Sequence, residues 1–277
     1  MKIYEYDHIL VVGNGFDLSL GLPTKYSHFL DSKEFKGLEG IVSSRLEKVQ
    51  TEKNWVDVEK ELIEISKTYE SDALSQFYPS LSFREEFKAL RAALVEYISN
   101  LDYSQINTDC EAAKILYSYA DKENVCVLDF NYTESISRLL STVEFNVEHI
   151  KIHGSAYEKK IVFGVHDNAR IEDEHVFLRK AVSGAIFKDQ SVGKIMRSAS
   201  KSVVVFGHSL GITDNTQFEA FFNLKSNEKC CAIDIHYHSE DSYYDLYQNI
   251  DYMTVNKLQA FSFRHDFKMI GPDIEDV

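Results

Sequence analysis

The sequence predicts an α/β protein with a Rossmann-like, mostly parallel sheet, helices on both faces and an inserted helical subdomain. Two observations lead to this prediction. Short apolar runs rich in β-branched residues recur along the chain and end in glycine or polar residues, as buried strands of parallel sheets do. A long segment between the first two runs has helical spacing only. With 277 residues, 44% of them hydrophobic, the chain can build a core of this size.

Six apolar runs are candidate strands. They are His8–Val12, Val125–Phe130, Val147–Ile152, Lys160–Val165, Val203–Phe206 and Cys230–Ile235. In open α/β sheets, ligands bind at the carboxyl ends of the strands, so the residues that follow these runs are the candidates for chemistry. The tail after Asp266 shows no such run, and we expect it to be irregular.

The segment between Asp31 and about Lys122 is expected to be helical. Apolar residues recur there at helical spacing in two series: Trp55, Val58, Leu62, Ile65 and Tyr69, then Phe83, Phe87, Leu90, Leu94, Tyr97 and Leu101. Ser82 and Glu85 form a capping-box pattern before the second series. We therefore expect residues 1–31 and 123–277 to form the nucleotide-binding core and residues 32–122 the helical insert. A further helix is expected over Gln217–Leu224.

Charge and composition restrict the class of partner. The formal charge is −14, from 30 basic and 44 acidic residues, so the surface repels phosphate backbones and nucleic acid is not the expected partner. A small nucleotide remains compatible with this charge. The polar start, the absence of a long apolar stretch and four cysteines without CxxC spacing favour a cytoplasmic protein with no membrane partner and no metal.

A glycine turn directly follows the first candidate strand. Gly13 and Gly15 permit a sharp bend and allow backbone N–H groups to approach a phosphate. A helix beginning within residues 17–21 would direct its positive end at the same anion. The spacing G-x-G-x5-G differs from the G-x-G-x-x-G of hydride-transfer dehydrogenases, which disfavours that class. The alternative is a tight turn that binds nothing.

The block GNGFDLSLGLPTKYSHF (residues 13–29) resembles the opening motif of the AbiH family of bacterial abortive-infection proteins. Residues 55–59 (WVDVE) resemble that family's W-x-D-[LV]-E segment. Further matching pieces follow in order: FNYTE (130–134), HGS (153–155), FG (163–164) and GHSLGITD (207–214). This resemblance implies a role in phage defence, in which infected cells stop growing.

The same ordered pieces are similar, more distantly, to sirtuin-type NAD-binding folds. That resemblance implies NAD as ligand or substrate, held by Gly13, Asn14, Gly15, Phe16, Asp17, Gly21, Pro23, Thr24, Gly207, His208, Ser209 and Asp214. The zinc-binding cysteine pairs of sirtuins are missing, which argues against a protein deacylase. Thr133 stands where sirtuins carry the aspartate that contacts nicotinamide.

Two residues are candidate catalysts for hydrolysis of an N-glycosidic bond, the reaction of an NAD(P)+ glycohydrolase. Asn131 follows the second candidate strand, and its amide could orient a water molecule. His153 follows the third, and its imidazole could act as general base. Considered one at a time, an asparagine here is more often a turn residue, and a histidine before glycine more often makes a local hydrogen bond.

A serine hydrolase is the rival interpretation. The run Val203–Phe206 is followed by Gly207-His208-Ser209-Leu210-Gly211, which fits the G-x-S-x-G nucleophile elbow. Ser209 would be the nucleophile, with Asp234 or Asp241 as acid and His265 as base. Two features weigh against this interpretation. Only 68 residues follow the serine, which is few for the remaining strands, helices and triad loops, and the glycine turn is given no role.

A third alternative is a nucleotide-sensing or interaction module without turnover. Such a module needs the glycine turn but not His153, and the acidic helical insert could supply a partner surface. Homo-oligomer formation is left open by the sequence.

Overall fold

The computed structural model describes residues 5–48, 55–69, 82–142, 146–183, 192–223 and 231–273. These residues form two compact units. The first lies within Met1–Gly21, Gln105–Ile152 and Lys188–Val277, and the second within Leu22–Ser104 and His153–Phe187. A six-stranded sheet belongs to the first unit and a two-stranded sheet to the second.

The secondary structure alternates between strands and helices in the first unit and is mainly helical in the second. The strands are β1 (His8–Val12), β2 (Val125–Asp129), β3 (Val147–Lys151), β4 (Gly154–Ser155), β5 (Lys160–Ile161), β6 (Ser202–Phe206), β7 (Ala232–His236) and β8 (Asp266–Ile270). The helices are α1 (Asn14–Ser19), α2 (Tyr26–Leu30), α3 (Lys33–Lys36), α4 (Ile41–Lys48), α5 (Trp55–Thr68), α6 (Phe83–Ser99), α7 (Glu111–Tyr117), α8 (Ser135–Leu140), α9 (Lys180–Ser183), α10 (Val192–Met196), α11 (Asn215–Phe222), α12 (Glu240–Met253) and α13 (Leu258–Arg264). A 3-10 helix covers Asp173–Leu178.

The large sheet is parallel throughout, with the strand order β3-β2-β1-β6-β7-β8. Counted within this sheet alone, the order is 3-2-1-4-5-6, the order of dinucleotide-binding Rossmann folds. In register, Val12 at the end of β1 lies beside Asp129 of β2 and Phe206 of β6. The chain reverses its winding direction between β1 and β6, and open α/β sheets bind their ligands outside the carboxyl ends of the strands at such a point. The predicted Rossmann-like architecture is confirmed.

Helices cover both faces of this sheet, as predicted. Strand side chains alternate between faces, so Ile9 and Val11 join one core and Leu10 and Val12 the other. The first core contains buried residues of α10, α11, α12 and α13. The second contains residues of α1, α7 and α8. Because the central strands are buried on both faces, they appear in the sequence as continuous apolar runs.

Two expectations about strands were wrong. The run at 160–165 supplies only β5, which pairs antiparallel with β4 in the second unit and takes no part in the large sheet. The tail after Asp266, expected to be irregular, forms β8 at the edge of the large sheet beside β7. An edge strand is covered on fewer sides, and the partly exposed residues of β8 therefore give no apolar run.

The second unit contains the two long predicted helices. The capping box of Ser82 and Glu85 is present at the start of α6. The buried stripe comprises Val58, Leu62 and Ile65 of α5 and Tyr69 directly after it, while the side chain of Trp55 lies outside the described residues. The predicted helix over Gln217–Leu224 is α11 of the first unit, and Leu224 also lies outside the described residues.

Candidate functional site

The glycine turn packs backbone against backbone at the carboxyl ends of β1 and β6. A Cβ atom on Gly13 would lie 2.7 Å from the carbonyl oxygen of Gly207, and one on Gly15 would lie 2.6 Å from the Cα of Gly207. The N–H of Gly13 donates to the carbonyl of Phe206 (3.1 Å), and that of Gly15 donates to the carbonyl of Gly207 (2.9 Å). The glycines therefore permit close strand packing, and both amide hydrogens are engaged within the protein. Asn14 is partly exposed at this turn.

Asn131 joins the end of β2 to this turn. Its backbone N–H donates to the Asp129 carboxylate (2.9 Å), an Asx-type turn, and its side-chain Nδ2 donates to the carbonyl of Gly13 (3.1 Å). Among the described residues, nothing donates a hydrogen bond to the Asn131 Oδ1. This oxygen is consequently an acceptor that a ligand or a water molecule can use.

Asp17 of α1 lies beneath the glycine turn and is directed into the protein. Its carboxylate is 1% exposed and accepts hydrogen bonds from Thr133 (2.8 Å) and Ser135 (2.5 Å). Burial raises the pKa of Asp17 to about 7, against the lowering effect of the two hydroxyl groups. Thr133, at the position of the nicotinamide-contacting aspartate in sirtuins, here holds α1 against the segment after β2.

Asp129 is the second buried carboxylate of this region. Its Oδ2 lies 3.1 Å from the Lys151 Nζ and 3.0 Å from the His149 Nε2, both on the neighbouring strand β3. Burial opposes ionisation, but the ammonium and the histidine hydrogen bond outweigh it, so the pKa of Asp129 is lowered. Lys151 also donates to the carbonyl of Thr133. This ion pair therefore ties β3 to the segment that carries Asn131.

Sequence reasoning did not identify this network of buried side chains. Its members Asp129, Ser135, His149 and Lys151 were not candidates, and Asp17 was assigned to cofactor contact. One signal was available: a carboxylate that ends an apolar strand is costly to bury unless a cation pairs with it. The pairing cation could not be named without the strand register, which sets Asp129 beside Lys151.

The segment after β6 places a second set of predicted residues at the carboxyl ends of the strands. Gly207 has a positive φ of 68°, which glycine adopts without strain. His208 is buried between Phe130 and Phe218, its Nδ1 accepts from the backbone N–H of Leu210 (2.9 Å), and its Nε2 lies 3.9 Å from the Asp214 carboxylate. The side chains of His208 and Asp214 are thus directed at other groups of the protein.

The nucleophile-elbow arrangement is not assembled. Ser209 is exposed after the carboxyl end of β6, whereas His265 precedes the amino end of β8, at the opposite edge of a parallel sheet. Strands of this length separate the two edges by about 16 Å. Asp234 lies in the middle of β7, and α11 starts only at Asn215 rather than directly after the serine. The acid, base and nucleophile therefore do not form a triad.

Three predicted site residues belong to the second unit. The carbonyl of Pro23 accepts a hydrogen bond from the Tyr97 hydroxyl (2.6 Å), and Thr24 is buried. His153 is buried too, and its backbone carbonyl accepts from Val162 (2.8 Å). The remaining predicted residues lie in the first unit, where Gly21, with a φ of 85°, ends the α1 segment on an open surface.

The sheet order and the glycine turn define a Rossmann-like α/β protein. The family model described as "Bacteriophage abortive infection AbiH" matches residues 9–237, more than four fifths of the chain. The chain therefore belongs to the AbiH family. No curated protein matches it. Within the part of the chain that the structure describes, every helix is too short or too polar to span a bilayer.

Proposed function

We propose that this chain binds NAD or a related nucleotide at the carboxyl ends of β1 and β6, hydrolyses its N-glycosidic bond, and thereby acts in abortive infection. One observation carries the proposal: the glycine turn and Asn131 lie where a 3-2-1-4-5-6 parallel sheet reverses its winding. In such sheets the ligand occupies the crevice at this point. The fold supports the place of binding, and the reaction is proposed from Asn131 and His153 together with the resemblance to sirtuin-type folds.

The ligand contacts are expected from groups that the protein leaves available. The amide hydrogens of Gly13 and Gly15 are engaged, so phosphate oxygens would be met by the partly exposed Asn14 and the exposed Ser209.

Asn131 is suited to position the attacking water. Its Nδ2 is fixed by the carbonyl of Gly13, which sets the orientation of the amide and leaves Oδ1 to accept a hydrogen bond from water. In the proposed step, the water oxygen bonds to C1′ of the ribose as the bond from C1′ to the nicotinamide nitrogen breaks. The bonding electron pair neutralises the pyridinium, and a base takes the proton from water; His153 is the residue that the sequence proposes for this role.

The test is incubation of the purified chain with NAD, NADP, ATP and RNA, followed by chromatography of the products. The proposal predicts nicotinamide and ADP-ribose from NAD. His153→Ala and Asn131→Ala should each slow the cleavage by about 100-fold or more. His28→Ala, which removes an exposed histidine of α2, should leave the rate unchanged.

Three other results would contradict the proposal. NAD bound but intact would identify a sensing module without turnover. RNA cut with NAD intact would indicate a nuclease. Cleavage at the same rate in Asn131→Ala and His153→Ala would remove both residues from the mechanism.

A further inference from the structure

A surface groove of the second unit concentrates positive charge on a chain that is acidic overall. The groove lies between α6 and the turn that joins β4 to β5, and its volume is about 730 Å³. Sites for small molecules have about this size. Lys88 and Arg91 of α6 line it together with Lys159 of the turn. The chain as a whole carries a formal charge of −14.

The described part of the chain gives these three cations no close ionic partner, although the charge of Lys88 helps to lower the pKa of Glu85 one turn earlier. Among the described residues, none of them makes a hydrogen bond or an ion pair. By contrast, two basic side chains elsewhere in the same unit are paired: Arg45 binds Glu61 at 2.8 Å, and Lys180 binds Glu59 at 2.7 Å. The groove cations therefore remain available to an anion from outside the chain.

The helix places like charges side by side here. Lys88 and Arg91 are three residues apart on α6, and like charges at this spacing disfavour a helix. Glu96 is the acid that lines the groove with these cations, and two further acids of α6 are engaged elsewhere. Glu85 accepts from the Ser82 backbone (3.0 Å) and hydroxyl (2.9 Å), and the buried Glu86 accepts from Val42 and Tyr69 (both 2.7 Å). A bound anion would relieve this repulsion.

We propose that this groove binds the phosphate groups of a small polyphosphate ligand. The Arg91 guanidinium can hold two phosphate oxygens at once, and the two lysines supply further charge-assisted hydrogen bonds. Lys159 has a positive φ of 57°, so the turn that carries it is sharply bent beside α6. The groove lies within the second unit and uses no residue assigned to NAD cleavage.

The test is a calorimetric titration of inorganic triphosphate into the full chain at low and at near-physiological ionic strength. We expect saturable binding that weakens as salt increases. Arg91→Gln and Lys159→Asn should each raise the Kd about tenfold. Asparagine is chosen at position 159 because it tolerates positive φ. Unchanged thermal melting would show that the variants are folded.

Two further variants make the test specific. Glu96→Gln removes the acid among the groove-lining residues and should lower the Kd, a change opposite in sign to that of the cation variants. Arg84→Gln removes an exposed charge of the same helix that does not line the groove, and it should change the Kd by no more than about twofold.

Several outcomes would overturn the proposal. These are the absence of saturable binding, equal effects of Arg84→Gln and Arg91→Gln, or weaker binding by Glu96→Gln. Binding that persists in Arg91→Gln and Lys159→Asn would place the triphosphate elsewhere, for example at the sheet edge. Because NAD cleavage is measured separately, failure of this proposal is distinguishable from failure of the proposed function.

Discussion

The side-chain Nδ2 of Asn131 donates a hydrogen bond to the carbonyl of Gly13 across 3.1 Å. This bond joins the end of β2 to the turn after β1. It thereby holds together two strand ends that lie far apart in the sequence. It also fixes the amide rotamer and leaves Oδ1 without a donor from the described residues. The ligand site that we propose depends on this orientation.

Gly207→Ala should destabilise the first unit strongly. A Cβ there would lie 2.5 Å from the carbonyl carbon of Gly15, and the φ of 68° is strained for alanine. We expect a loss of about 3 kcal/mol in the free energy of unfolding, measured by urea denaturation. Gly21→Ala is the matched control, since its φ of 85° is also positive but open space surrounds it, and it should cost about 1 kcal/mol. Equal losses would contradict the steric explanation.

Asp17 should make stability depend on pH in the range from about 4 to 7. Burial raises its folded pKa to about 7, above the unfolded value of about 3.9. The folded state therefore holds the proton more tightly, and this contribution to stability, complete below about pH 4, is lost as pH rises to about 7.

Asp17→Asn removes this titration. Urea unfolding at several pH values should show a flatter curve for the variant than for the unmodified chain between about pH 4 and 7. Asparagine can still accept one hydroxyl hydrogen bond, from Thr133 or Ser135, so the variant is expected to fold. Parallel curves would mean that the carboxyl group does not titrate in this range.

Lys151→Met should leave the buried Asp129 carboxylate without its ammonium partner. Breaking a buried ion pair from one side costs about 3–5 kcal/mol, because the remaining charge stays buried. We expect a loss near the lower limit, about 3 kcal/mol, since His149 still bonds Asp129. The control is Lys201→Met, which breaks an exposed pair with Asp7 (3.1 Å) and should cost less than about 1 kcal/mol. A similar small loss for both variants would contradict the buried-pair account.

A fluorophosphonate probe should not label Ser209. Its side chain lies at the carboxyl edge of the sheet, and the only base that the hydrolase interpretation offered, His265, lies at the amino edge. Without a base the serine hydroxyl is a weak nucleophile. Covalent labelling that mass spectrometry maps to Ser209 would restore the hydrolase interpretation.

The parts of the fold that depend on local sequence were predictable. Buried parallel strands give apolar runs, so β1, β2 and β6 were found within a residue of their bounds, and the partly apolar runs of β3 and β7 were found within two residues. The capping box at Ser82 and Glu85 was found because its pattern is local. The edge strand β8 was missed because its burial is one-sided and its residues mix polar with apolar.

The candidate site was predictable only as a set of positions. Glycines at 13 and 15 indicate a tight approach, but the group that approaches them, Gly207, lies far along the chain. Likewise, no run of basic residues predicted the groove, because Lys159 joins Lys88 and Arg91 only in three dimensions. These contacts between distant residues depend on strand register and helix packing, which a local sequence motif does not reveal.

The most direct test of the central claim is a crystal structure of the chain with ADP-ribose. This product of the proposed reaction no longer contains the bond that is cleaved, so it stays intact in the crystal. We predict the diphosphate in the crevice between the ends of β1 and β6, next to Asn14, with the Asn131 Oδ1 bonded to the ligand or to a water molecule on it. ADP-ribose bound elsewhere, or a crevice left empty at saturating ligand, would contradict the account.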